Sequence, residues 1–154
     1  MSTVLLATDG SDLSTAAMVR GIELLGRDHR FVAVSVVSPA YVPAASVSPM
    51  EAHPTVIDAD LEEEIEDEDR AESTTALASL DRTLEIEAEH LVETGDPGTT
   101  ICEVAARTGA DVVVIGSHGH GWLQRVLIGS VSNHVLHHAP CPVLVMRLED
   151  RGER

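Results

Sequence analysis

Apolar residues along the chain fall into short runs set off by breakers, and the runs change period from one to the next. Thr3-Val4-Leu5-Leu6-Ala7-Thr8 leads into Asp9-Gly10-Ser11-Asp12, which predicts a strand, a turn and a capped helix start. From Leu13 to Gly26 the positions Ala16, Ala17, Ile22, Leu24 and Leu25 recur at roughly helical intervals, with Gly26 as the stop. Phe31 to Val37 is a nearly unbroken β-branched run, the pattern of a strand covered on both faces in a parallel sheet. Pro39, Pro43, Pro49 and Pro54 then make residues 38–59 a long connecting loop. Helix formers follow from about 60 to 83, with Ala76, Leu77, Leu80 and Leu84 as the apolar positions.

Further on, Ile86, Ala88, His90 and Val92 alternate with Glu85, Glu87, Glu89 and Leu91, as in a half-exposed edge strand. Gly95-Asp96-Pro97-Gly98 breaks the chain, and Thr99 or Thr100 is expected to cap a helix that runs to Thr108 and ends at Gly109. Asp111 to Gly116 reads as a fourth strand, Ser130 to His138 as a helix and Pro142 to Arg147 as the last strand. Five strands alternating with four helices predict a doubly wound parallel α/β sheet with right-handed crossovers. Such sheets bind ligands beyond the carboxyl ends of their strands, where the strand order reverses. Those ends carry Thr8-Asp9, Val36-Val37 and Gly116-Ser117.

Composition narrows the function classes. The length of 154 residues suits one domain. No uncharged apolar stretch approaches the roughly 20 residues of a membrane helix. No basic or cleavage-type segment frames the apolar N-terminus, so a soluble, cytoplasmic protein is expected. Cys102 and Cys141 lie far apart without a C-x-x-C spacing, which favours reduced thiols over a disulfide framework or zinc knuckle. Acidic residues number 26 against 10 basic ones, every basic residue is Arg, and the formal net charge is -16. That field repels nucleic acid and anionic membranes. An acidic, lysine-free chain with an ordinary apolar content suits a cytosol of high salt, as in a halophilic archaeon.

The candidate chemistry lies in the segment from Gly116 to Ser130. Gly116 and Gly119 let backbone amides approach an anion without a Cβ in the way, and Gly129 does the same at a helix start. Ser130 supplies an N-cap or a phosphate-binding hydroxyl, and the amides of Val131 and Ser132 add the positive helix end. A strand followed by G-x-x-G is a weak signal by itself. Nine residues separate Gly119 from Gly129-Ser130, and that spacing resembles the ATP-binding branch of the universal stress protein family. The likeness extends to Thr8-Asp9-Gly10-Ser11, Gly95-Asp96-Pro97, Gly109-Ala110-Asp111 and Ala139-Pro140-Cys141-Pro142-Val143-Leu144-Val145.

The resemblance implies a Rossmann-like five-stranded sheet of order 3-2-1-4-5, one domain over residues 1–148 and a C-terminal tail over 149–154. It implies an ATP site in which Asp9 meets the adenosine and Val36 flanks the base, with Ala7 and Thr8 also among the nucleotide-binding residues. The phosphates would lie on Gly116, Gly119, Gly129, Ser130 and the Val131 backbone, with Ser117 and the His118 backbone also contributing to nucleotide binding. It also implies a homodimer formed through the last strand, Val143 to Met146, whose apolar edge needs cover. One departure stands out: family loops often carry Lys or Arg directly after the second glycine, where this chain has His120. A neutral imidazole gives no reliable charge near pH 7, so Arg125 or Mg²⁺ with high salt is expected to offset the charge of ATP, with affinity rising as KCl screens the acidic field.

Competing readings are blander. His118 and His120 form an H-x-H pair, and His134, His137 and His138 sit on the final helix, but His134 and His138, one turn apart, have no identified third ligand and no H-E-x-x-H pattern is present, so surface histidines are favoured over a metal site. Nine of the twelve positions from Asp58 to Asp69 are acidic, which suits a solvated helix face better than a cation site. The function expected is a nucleotide-responsive regulatory module with no catalytic residue assigned. The alternatives are a weak Mg-dependent ATP hydrolase or a variant that takes AMP or a cyclic nucleotide, because Asp9, Asp12, His118 and His120 form no motif that singles out a base. A receiver domain would need a lysine near the last strand, and a synthetase-type ATP pyrophosphatase a different turn after the first.

Overall fold

A computed structural model describes residues 1–38, 59–117 and 128–147, of which 59–66 are described by backbone alone. Strand β1 (Thr3–Ala7) is followed by α1 (Asp12–Leu25), β2 (Arg30–Val37) and α2 (Ala59–Leu84). After them come β3 (Ala88–Thr94), α3 (Pro97–Thr108), β4 (Val112–Gly116), α4 (Ser130–His138) and β5 (Val143–Met146). The strands form one parallel sheet in the order β3-β2-β1-β4-β5, as expected from the sequence. The loop expected over 38–59 lies almost wholly outside the described residues, as do His118, Gly119, His120, Trp122, Arg125 and the tail 149–154.

Because successive side chains of a strand point to opposite faces, β1 feeds two cores. Val4 and Leu6 join Met18, Ile22, Phe31, Leu77, Leu80 and Val114 beneath α1 and α2. Leu5 and Ala7 join Val32, Val34, Ile101, Val104, Val113 and Val135 beneath α3 and α4. Full burial on both faces is what a central parallel strand requires, and it explains why β1, β2 and β4 lack polar alternation. Cys102 and Cys141 pack at the margin of the second core, and burial pushes both thiols above their ordinary pKa.

Apart from one-residue shifts at element ends, two element starts and one cap differ from the sequence expectation. Helix α3 starts at Pro97, not after Thr99, because Asp96 is its cap: the Asp96 carboxylate accepts from the Thr99 amide at 3.0 Å. Proline fits a first helical turn, where its missing N–H has no partner to lose. Strand β3 starts at Ala88, since the end of α2 is closed by the Ile86 amide donating to the Asp81 carbonyl, with Glu85 at φ 51. Helix α4 is capped by Gly129, so Ser130 is its first residue and not its cap.

Candidate functional site

The strand order reverses between β1 and β4, whose carboxyl ends lie side by side with Ala7 paired to Ile115. A crevice for ligand is expected at such a point. On the β1 side, Asp9 is exposed and its Oδ1 accepts from the Ser11 amide at 3.0 Å and the Ser11 hydroxyl at 2.6 Å. Beneath it, the buried Thr8 Oγ1 accepts from the Gly10 amide at 3.0 Å and pairs with Ser14 Oγ at 2.8 Å. Gly10 holds φ +78 in this turn, a backbone conformation that side chains rarely adopt. The Thr8 amide donates to Val34 of β2. Thr8 thus supports the turn, and Asp9 is the member of the pair that reaches solvent. Ser11 caps α1 through the Ser14 amide, as the N-cap residues of the turn foretold.

On the β4 side, Gly116 and Ser117 are buried at the end of the strand, with the Ser117 amide donating to the Met146 carbonyl. The Gly129 amide donates to the Ser117 carbonyl at 2.7 Å, which joins the end of β4 to the cap of α4. Gly129 offers no side chain to cap α4, and no side chain caps this helix among the described residues. The first turn of α4 therefore presents main-chain donors and the positive end of the helix dipole beside the β4 terminus. Val36, half-buried, stands at the end of β2. His118 and Gly119 lie outside the described residues, and Ala7, Thr8, Asp9, Gly116, Ser117, Gly129, Ser130 and Val131 fall on the two sides of the β1–β4 switch point.

Sequence reasoning passed over the hydroxyls that lie under the site. Ser132 was read for its amide, yet its buried side chain donates to the Gly116 carbonyl at 3.0 Å and lies 3.3 Å from that of Ser117. Behind α4, Gly98 lets α3 approach closely: a Cβ there would sit 2.8 Å from the His134 ring. The His134 and His138 rings stack at 4.3 Å. No group of three or more His, Cys, Asp or Glu that could hold a metal occurs among the described residues. No helix among them is long and apolar enough to cross a membrane.

Comparison with known proteins supplies the context. Residues 1–147 match the Universal stress protein family. Universal stress protein MJ0531 of Methanocaldococcus jannaschii is 30% identical over 145 residues, covering 94% of this chain and 81% of that one. Universal stress protein Slr1101 of Synechocystis is 40% identical over 67 residues, which span 44% of this chain and 60% of the relative. Among solved structures, hypothetical protein MJ0577 aligns with a TM-score of 0.78 at 20% identity, covering 97% of each chain. A universal stress protein family member from Arabidopsis thaliana, solved with AMP bound, aligns at 0.63 and 18% identity over 97% of this chain and 94% of that one. At those identities the two structures establish the fold alone.

Proposed function

This chain belongs to the universal stress protein family, and we propose that it binds an adenine nucleotide, ATP above all, and acts as a nucleotide-responsive regulator. The observation that carries the reading is the pairing, across one switch point, of the exposed Asp9 carboxylate with the start of α4, which has no side-chain cap among the described residues and is joined to the end of β4. A carboxylate accepts from the hydroxyl or amino groups of a nucleoside, while the amides and positive dipole end of a helix start suit phosphate. In this reading Ala7, Thr8, Asp9 and Val36 form the adenosine side. Gly116, Ser117, His118, Gly119, Gly129, Ser130 and Val131 form the phosphate side. The AMP bound to the Arabidopsis family member supports the choice of base. Mg²⁺, when present, would add positive charge at the phosphates of a chain whose net charge is -16.

The test is calorimetric titration of the purified chain with ATP, AMP and adenosine in Mg²⁺, together with mass spectrometry of any ligand released on denaturation. ATP is expected to bind more tightly than adenosine, and a chain that takes up no adenine nucleotide would falsify the reading. Following ADP in the same samples separates regulator from enzyme: a regulator binds without turnover, whereas turnover abolished by Gly119→Ala would make it a hydrolase.

A further inference from the structure

Helices α1, α3 and α4 treat their third residue differently. In α1 and α3 the third amide, of Ser14 and Thr99, is taken by the cap side chains of Ser11 and Asp96. In α4 the cap is Gly129 and provides no such bond. The third residue, Ser132, instead turns its own hydroxyl to the preceding strand, donating to the Gly116 carbonyl at 3.0 Å with the Ser117 carbonyl 3.3 Å away. On the other side of the switch point the Ser14 hydroxyl donates to the Ser11 carbonyl at 2.9 Å and also bonds Thr8 Oγ1, just past the end of β1, at 2.8 Å, so that helix start too is tied to its preceding strand through a buried hydroxyl. Ser132 is only 3% exposed, so its hydroxyl and its carbonyl partner are shielded from water and the bond has no solvent substitute.

From this arrangement we infer that Ser132 is a positioning residue for phosphate recognition, an inference that rests on the nucleotide-binding reading above. Its hydroxyl and the Gly129 amide converge on Ser117, so a side-chain bond and a backbone bond together set the spacing between Gly116-Ser117 and Gly129-Ser130-Val131. These are the two halves of the phosphate side. Neither bond touches the β1 turn that carries Asp9. Loss of the Ser132 hydroxyl therefore loosens the phosphate half and leaves the adenosine half in place. A hydroxyl that merely satisfies the core would have no such selectivity.

The test compares ATP with adenosine on the full chain. Ser132→Ala is expected to weaken ATP by up to about fivefold, a ceiling set by the worth of the one buried hydrogen bond that fixes the two halves, while adenosine affinity stays as in the wild type and Ser132→Thr restores ATP binding. Unchanged adenosine affinity also reports that the variant is folded. If Ser132→Ala does not fold, Ser132→Cys, with a similar volume and a weaker donor, carries the same comparison and should also lose ATP selectively. Equal loss of both ligands, or loss of neither, overturns the positioning role while leaving nucleotide binding intact. A wild-type chain that binds neither ligand overturns the nucleotide reading and this inference with it.

Discussion

Asp96 shows how one side chain can both start a helix and set its acid sensitivity. Its Oδ1 accepts from the Thr99 hydroxyl at 2.7 Å and from the Thr99 amide at 3.0 Å. The Thr99 hydroxyl is the larger of the two hydrogen-bond influences that hold the carboxyl below its usual pKa, burial opposes them, and a nearby His134 adds a lesser lowering. The carboxylate therefore binds a proton less readily in the folded chain than in the unfolded one. Its contribution to stability is full above the ordinary carboxylate range and fades as pH falls through that range toward the lowered folded value. Asp96→Asn keeps a good cap but removes the titration. The variant is expected to melt with a flatter dependence on pH on the acid side than the wild type, and parallel melting profiles from neutral to acid pH would count against the linkage.

At the scale of elements, most of the sheet was legible because burial on two faces leaves an apolar run that few other structures produce. Strands β1, β2 and β4 and the helix Ser130–His138 stand where the pattern put them. The misplaced start of α3 has a physical cause: Pro97 reads as a breaker unless the preceding Asp96 is seen as a cap. Alternation around Glu85 and Glu87 likewise extended β3 too early, since a period of two does not say where the turn after α2 ends. In the candidate site, Asp9 and the glycines were legible as turn chemistry, whereas the Ser132 contact crosses 16 residues and leaves no local pattern. The two sheet edges also differ. Arg70 of α2 covers β3 by donating to the Val92 carbonyl and the Thr94 hydroxyl. On β5, Pro142 and Met146 accept from β4, so the alternating main-chain groups of Val143 and Val145 face outward. A second copy pairing there would form the homodimer that the family resemblance implies. Val145→Pro removes an outward donor at an edge that tolerates proline. Sedimentation is expected to show a dimer for the wild type and a folded monomer for the variant, and a monomeric wild type would remove this assignment.

For the whole molecule, the dominant quantity is charge. Acidic residues exceed basic ones by 26 to 10, and the four arginine–glutamate pairs among the described residues, at Arg20, Arg27, Arg30 and Arg107, all stand at the surface. Exposed pairs of this kind contribute about 0–1 kcal/mol each. Salt weakens those attractions, but it weakens a larger set of unpaired repulsions at the same time. The screening length falls from about 10 Å at 0.1 M salt to about 3 Å at 1 M, and net repulsion opposes the compact state. Repulsion therefore decides the sign, and the melting temperature is expected to rise with KCl across that range. General salting-out would raise it too, so a charge variant separates the causes. Asp67, Glu68 and Asp69 are exposed on α2, and replacing them with Asn, Gln and Asn lowers the negative charge without touching either core. The variant should melt higher than the wild type at low salt and gain less from KCl. Maximal wild-type stability at low salt, or the same salt gain in both proteins, would remove charge screening as the basis of its stability.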